Sequence, residues 1–265
     1  MLDPGGLAPA LAVAISAAVS LLAWTAGALT RSGALAATAV GAGILWGTGW
    51  AGGIVLLAFF LPSTAVGRLP GSRRVVADAR GEVRDHIQVA ANGGAALAGA
   101  LAENLAPGLG LWIVTASLAT AAADTWATSV GALSRTDPRN LLTGRRVPPG
   151  TSGGVTLAGT LGAVAGAAIV GVAGAAAGGG AALLATATGV GVAGMLLDSL
   201  LGASVQGRFE CPRCREAGER RRHRCGAPAV RVGGWSWLDN DGVNVLATVA
   251  GAVAGWLGWS WLARS

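Results

Sequence analysis

Long stretches of the chain contain no charged residue, and this restricts its fold more than any other feature. Asp, Glu, Lys and Arg are absent from Leu7–Leu29, from Ser32–Gly67 and from Val147–Leu197. Charged residues make up only 12% of the 265 residues, about half their share in a typical soluble domain. Since about 20 apolar residues cross a bilayer as a helix, the pattern predicts an all-α, polytopic integral membrane bundle.

We expect about eight transmembrane helices, with seven as the alternative, in a single membrane domain that covers residues 1–265. The second block is too long for one span, so we place a break at Trp46–Trp50, where glycines stand between tryptophans. The third block holds two spans that turn at Gly178–Gly180. The first five predicted spans are Leu7–Leu29, the two halves of Ser32–Gly67, Ile87–Leu105 and Leu109–Leu133. The sixth begins near Ser152 and ends at the glycine run, the seventh begins after that run and ends near Gln206, and the eighth is Gly242–Leu262.

The basic residues indicate how the bundle is oriented. All 19 are arginines, and the arginine-rich loops follow odd-numbered helices, which places them on one side. The positive-inside rule then predicts that these loops are cytosolic, that both termini lie outside, and that the protein is integral to the inner membrane. The N-terminus has no positive region typical of a cleavable signal peptide. We expect the lipid bilayer as a partner and no nucleic acid; a homo-oligomer stays open.

Two carboxylates lie inside predicted spans, where an ionised group is costly. Asp124 precedes Arg135 by eleven residues and Asp198 precedes Arg208 by ten, so both should lie about 15 Å from the basic end of their helices. A hydroxyl residue, Thr125 or Ser199, follows each Asp. Carboxylate and hydroxyl oxygens suit Mg²⁺, and we expect both Asp residues to be catalytic and to bind that ion. Hydrogen bonding between helices is the structural alternative.

A glycine-rich turn between the two Asp-bearing helices has the composition of a phosphate site. We expect it to open a helix, where free N–H groups and the helix dipole favour an anion, with guanidinium groups beside it. An ordinary turn is the alternative. These residues are Arg145, Arg146, Thr151, Ser152, Gly153 and Gly154.

Three asparagines on the same predicted side are further candidates for binding the substrate. Asn92 and Asn244 lie within predicted spans, where an amide requires a polar partner. Asn240 lies between Asp239 and Asp241, a segment that equally fits a helix cap.

A polar loop at 208–234 contains every cysteine of the chain. Cys211 and Cys214, followed by His223 and Cys225, supply four ligands of the kind that bind structural zinc in a reducing compartment. The return spacing is shorter than in standard zinc fingers. Both interpretations fit this pattern: a small zinc knuckle, or a set of free thiols.

Six motifs of this chain, in order, resemble domain-of-unknown-function family 92, also called the transmembrane protein 19 family, whose plant member is the phytyl-phosphate kinase of tocopherol and phylloquinone synthesis. The resemblance covers nearly the whole chain. The motifs are Gln88–Gly93, Ala123–Ala127, Pro148–Val155, Asp198–Ala203, Cys211–Cys214 and Trp237–Asn244.

The family is distantly similar to CTP-using membrane enzymes such as phosphatidate cytidylyltransferase and dolichol kinase. The resemblance implies a CTP-dependent kinase that converts a prenyl monophosphate into the diphosphate. The chain contains no lysine, so a Walker A lysine is absent and arginine, backbone N–H groups and Mg²⁺ would have to hold the triphosphate. Two alternatives stay open: a cytidylyltransferase that makes a CDP-lipid, and a transporter that uses Asp124 and Asp198 as ion sites.

Overall fold

The computed structural model describes residues 7–70, 83–223 and 225–264, in which apolar helices form a bundle with a small β ribbon at one end. Arg73, Arg74 and Arg80 of the first basic loop lie outside these residues. The predicted helical membrane bundle is confirmed, and the number of spanning helices stays a prediction. The helices are α1 (Pro9–Thr25), α2 (Arg31–Gly67), α3 (His86–Leu101), α4 (Leu109–Gly131), α5 (Leu157–Gly174), α6 (Gly180–Ser204) and α7 (Asn240–Leu262).

Three of the described helical stretches are long and apolar enough to cross a membrane. They are Arg31–Gly67, Leu157–Ser204 and Asn240–Leu262, whereas α1 is a shorter apolar helix. The first two stretches are longer than one crossing requires, because a hydrocarbon core of about 30 Å takes about 20 helical residues.

α2 is a helical hairpin rather than one long rod. Gly49 has φ 61° and ψ −151°, a left-handed conformation that glycine adopts without strain. Residues on the two sides of it meet: the side chain of Leu45 packs at Gly53, and that of Leu56 packs at Gly41. The predicted break at Trp46–Trp50 is therefore confirmed, and each arm of about 27 Å matches the thickness of a bilayer core.

α5 and α6 form a second hairpin. The turn includes Gly178 (φ 122°) and Gly180 (φ 68°), as the glycine run predicts. Across the turn, Gly171 of α5 faces Leu184 of α6, so the two helices are antiparallel and in close contact. α6 consequently runs in the same direction as α4.

α4 is the central helix of the bundle. It packs against α2, α3, α5, α6 and α7, and every residue from Leu109 to Asp124 is buried. Small residues let its neighbours approach closely. A methyl group on Gly162 of α5 would lie 2.9 Å from the carbonyl oxygen of Trp126, and one on Gly166 would lie 3.0 Å from that of Ala122.

The polar segments between the helices carry short strands. Residues 132–156 include β1 (Arg139–Asn140) and β2 (Gly154–Val155), which pair antiparallel. Residues 205–223 and 225–239 include a three-stranded antiparallel ribbon in the order β4-β3-β5. We call the end of the bundle at which these two segments lie the loop end. The ribbon strands are β3 (Arg208–Glu210), β4 (Ala217–Gly218) and β5 (Val230–Gly233).

Candidate functional site

Asp124 and Asp198 line one cavity of about 120 Å³ at the loop end, which we call the carboxylate cavity. Asp124 comes from α4 and Asp198 from α6, and each is 8% exposed. The parallel course of these helices allows the two residues to share one cavity, and the nearly equal depth expected from their spacings of eleven and ten residues to the following arginines stays a prediction. Ser199 and Asn240 line the same cavity.

The turn predicted to cradle phosphate forms another wall of this cavity. Thr151, Ser152, Gly153 and Gly154 all line it. Gly153 has φ 76°, and a methyl group there would lie 2.7 Å from the Cα of Ala203 on α6. Glycine is therefore required for the turn to pack against the end of the helix that carries Asp198.

The prediction that this turn opens a helix is wrong. Gly154 and Val155 pair with β1 instead, and α5 begins at Leu157, capped by the Thr156 hydroxyl, which accepts a hydrogen bond from the Gly159 N–H at 3.0 Å. Two of the four N–H groups in the turn already donate within it, from Thr151 to the Pro148 carbonyl and from Gly154 to the Thr151 carbonyl. The turn thus offers a ligand fewer amides than a helix N-terminus would.

Arg145 and Arg146 do not reach the carboxylate cavity. Both are exposed, and neither is among the residues that line it. The main chain of Arg145 instead closes the β1 loop, since its carbonyl accepts a hydrogen bond from the Asn140 N–H at 2.8 Å. Their main chain stays close to the glycine turn, since Arg146 and Val155 both pair with Arg139, and phosphate binding by their guanidinium groups stays a prediction.

Several polar residues of the carboxylate cavity were not predicted, among them Thr128, Gln206 and Glu219. Thr128 lies one helical turn after Asp124. Gln206 is 2% exposed, and its Nε2 has no hydrogen-bond partner within the described part of the chain. Glu219 accepts a hydrogen bond from the Ser152 hydroxyl at 2.6 Å. Gln206 follows the last residue of α6, Ser204, by two positions, so helical spacing from Asp198 does not identify it, and nothing in the sequence indicates the contact of Glu219.

A second cavity of about 90 Å³ collects the remaining polar candidates, and we call it the arginine cavity. Asn92, Thr125 and Asn244 line it instead of the carboxylate cavity. The guanidinium of Arg84 donates to the Thr64 hydroxyl at 3.2 Å and lies 5.7 Å from the ring centre of Phe59. Thr128 lines both cavities, so one turn of α4 separates them. Residues that were not predicted there include Arg68, Arg84, Gln88 and Asp241.

A third cavity, of about 90 Å³, is mostly apolar, and we call it the apolar cavity. It lies between α1, α2 and α3, with Val19, Leu57 and Phe60 on its walls. Arg84, Gln88 and Asn92 line both this cavity and the arginine cavity. The apolar cavity therefore ends at the polar groups of the arginine cavity.

The structure brings the four predicted zinc ligands together in the ribbon. One ligand atom from each of Cys211, Cys214, His223 and Cys225 lies within 4.8 Å of the others. The hydrogen bond from His223 lowers the pKa of the Cys225 thiol to about 6. The hydrogen bond between Cys214 and Cys225 raises the pKa of Cys214 to about 11. Contact with Cys225 raises the pKa of His223 above its usual value.

Comparison with known proteins places the chain among membrane proteins. The model of a family described as integral membrane protein DUF92 matches residues 14–252. Protein PGR of Arabidopsis thaliana is 31% identical over 270 residues, which covers 89% of this chain and 91% of that protein. An uncharacterized membrane protein of Methanocaldococcus jannaschii is 26% identical over 227 residues, or 86% of this chain and 84% of its own length. No solved structure matches.

Proposed function

The chain belongs to the DUF92 family of integral membrane proteins, and from this we propose that it is a kinase that phosphorylates a prenyl monophosphate to the diphosphate, with CTP as the donor. One observation carries the proposal: two buried carboxylates share a cavity that adjoins an arginine-lined cavity, which in turn runs into an apolar one. This order of cavities suits the donor nucleotide, the phosphate of the acceptor and the hydrocarbon tail of the acceptor, respectively.

The carboxylate cavity suits the donor nucleotide. Its acidic and hydroxyl groups, from Asp124, Asp198 and Ser199, are all-oxygen donors of the kind that Mg²⁺ requires while it keeps waters and phosphate oxygens as further ligands. Asp124 and Asp198 would hold Mg²⁺, which supplies charge neutralisation to the triphosphate. The Gln206 amide supports a polar ligand there, because a buried donor without a partner is costly.

The other two cavities suit the acceptor. A prenyl chain is apolar, and Val19, Leu57 and Phe60 line a cavity that can bury part of it at about 25 cal/mol per Å² of apolar surface. The acceptor phosphate would lie with Arg68 and Arg84, whose guanidinium groups bind phosphate oxygens in pairs. Because Arg84 lines both cavities, one prenyl monophosphate would fill both, with its tail in the apolar cavity and its phosphate in the arginine cavity.

Phosphoryl transfer then requires the two phosphates to meet beside Thr128. An oxygen of the acceptor monophosphate attacks the γ-phosphorus in line, the new P–O bond forms the diphosphate, and the bond to the β-phosphate oxygen breaks to release the nucleoside diphosphate. The attacking oxygen is already anionic, so the chain has to supply position and charge compensation rather than a base. Asn92 and Asn244 would orient the acceptor phosphate.

Product analysis tests the proposal directly. The purified protein in lipid nanodiscs, given Mg²⁺ and phytyl monophosphate, is expected to move label from [γ-³²P]CTP into the lipid and to release CDP. Label transferred from [α-³²P]CTP, with release of pyrophosphate, would instead establish cytidylyl transfer. The absence of any labelled lipid with CTP, ATP, GTP or UTP would contradict a kinase.

A further inference from the structure

The Cys/His cluster of the ribbon has the geometry of a metal site. The sulfur atoms of Cys211 and Cys225 lie 3.7 Å apart, and a tetrahedron of Zn–S bonds of about 2.3 Å places two sulfurs about 3.8 Å apart. The Nδ1 of His223 lies 3.1 Å from the sulfur of Cys225. Together with Cys214, these ligand atoms all lie within 4.8 Å of one another, close enough for one ion to bind all four.

Two tight turns of the main chain create this arrangement. In the first, the Arg215 N–H donates to the Cys211 carbonyl and the Cys211 N–H donates to the Glu216 carbonyl, both at 2.9 Å. In the second, the Gly226 N–H donates to the His223 carbonyl at 2.8 Å. Each turn presents two ligands, the pattern of structural zinc sites built from paired ligands.

The histidine also has the support that metal ligands usually have. Its Nε2 lies 2.9 Å from a carboxylate oxygen of Glu216, which leaves Nδ1 directed at the thiols. A carboxylate on the far nitrogen fixes the tautomer and the ring orientation of a ligating histidine. Glu216 follows Cys214 by two residues, so the same turn supplies both ligand and support.

The ribbon has little else to hold it together. In the described part of 208–233, the buried apolar side chains are Phe209, Cys211 and Ala227, while Val230 and Val232 are 62% and 56% exposed. So small an apolar core cannot offset the entropy of ordering about 25 residues. A bound metal is the usual source of the missing stability in segments of this size.

We propose that Cys211, Cys214, His223 and Cys225 bind one structural Zn²⁺, and that this ion holds the ribbon against the carboxylate cavity. Glu219 directly follows β4 and accepts the hydrogen bond of Ser152 in the cavity wall. The ion thereby fixes the Thr151–Gly154 turn from outside the membrane bundle. An effect of this ion on turnover, through the Thr151–Gly154 turn, rests on the proposed function. The metal binding itself does not depend on that function.

Metal content of the full-length protein, purified in detergent with a thiol reductant, tests the site. We expect one zinc per chain by mass spectrometry, and a loss of at least about tenfold in Cys214→Ser and in Cys225→Ser. Arg213→Gln, which changes an exposed residue between the first two ligands, should keep the metal. Wild-type protein with reduced thiols and no zinc, or with a disulfide between Cys211 and Cys225, would overturn the proposal.

Cobalt exchange covers the case in which the cysteine variants do not fold. Wild-type protein loaded with Co²⁺ should show the strong visible bands of a tetrahedral site together with thiolate charge transfer, and an octahedral spectrum would overturn the assignment. Zinc removal by a chelator should make the ribbon sensitive to cleavage after its arginines and lower phosphoryl transfer. Asp124→Asn should keep its zinc, so a failure of the kinase proposal is distinguishable from a failure of the metal site.

Discussion

At the scale of single residues, the two carboxylates within predicted spans, Asp124 and Asp198, were the strongest signal in the sequence, and the structure brings them to one cavity. Spacings of eleven and ten residues to the following arginines predict nearly equal depths, and the parallel course of α4 and α6 places both residues at the same end of the bundle. The positions of Arg68, Arg84 and Glu219 in the cavity walls could not be predicted in this way. Their positions depend on which helices and loops become neighbours, and that is decided by packing rather than by spacing along the chain.

Replacing either carboxylate is expected to abolish turnover while leaving the fold intact. Asp124→Asn and Asp198→Asn keep size and hydrogen bonding but remove the charge that would bind Mg²⁺, so kcat should fall by about 100-fold or more. Radiolabelled phosphoryl transfer measures the change. Asp239→Asn is the matched control: Asp239 caps α7 through the Gly242 N–H, lines none of the three cavities, and asparagine caps as well as aspartate. Wild-type activity in both cavity variants would contradict the assignment.

The guanidinium of Arg84 should act on the acceptor rather than on the nucleotide. Arg84→Gln removes a charged partner of the acceptor phosphate, so the KM for prenyl monophosphate should rise about tenfold, with the KM for CTP little changed. Steady-state kinetics with each substrate varied separates the two. Arg31→Gln is the control, because Arg31 is exposed over Trp24 at 5.7 Å and lines none of the cavities. A rise confined to the KM for CTP would assign Arg84 to the donor.

At the scale of helices and turns, charge-free blocks and glycine runs predicted most boundaries correctly, including the break at Gly49. The Thr151–Gly154 turn was misassigned for a physical reason. Gly and Ser before an apolar run suit either a helix start or a strand end, and the pairing of Gly154 with Asn140 is a contact across the loop. The length of a helix follows from local sequence, whereas the residue at which it begins depends on contacts with residues distant in the chain, such as this strand pairing.

The contact between α4 and α5 should tolerate no added side-chain atom. In Gly166→Ala the new methyl would lie 2.7 Å from the ring of Trp126 and 3.0 Å from the Ala122 carbonyl oxygen, which should cost about 1–3 kcal/mol. Gly189→Ala on α6 meets no atom within 4 Å and should stabilise the helix slightly. Thermal unfolding in detergent measures both, and equal melting temperatures would contradict close packing at Gly166.

At the scale of the whole molecule, three cavities meet at the loop end, and none of them belongs to a single stretch of sequence. The carboxylate cavity draws on α4, α5, α6, the start of α7 and the ribbon, whereas the apolar cavity draws on α1, α2 and α3. A bundle of this size could be predicted from hydropathy. The division of the polar and apolar cavities between two groups of helices could not be predicted, because hydropathy does not show which helices are neighbours.

Filling the apolar cavity should discriminate between acceptors by chain length. In Leu57→Trp the indole would occupy space needed by a long tail, so kcat/KM for phytyl monophosphate should fall about tenfold, with dimethylallyl monophosphate little affected. The control is Leu35→Trp, on the same helical hairpin but 75% exposed and outside the cavities. Competition assays with the two acceptors give the ratio, and an equal loss for both would place the tail elsewhere.

The single turn of α4 at Thr128 has an evolutionary consequence. Because that turn is the common boundary, substitutions in the first three helices could retune which lipid is accepted without disturbing the groups that would handle the nucleotide. In such a molecule the specificity for the lipid would change through α1, α2 and α3, while the residues that would bind the nucleotide stay the same.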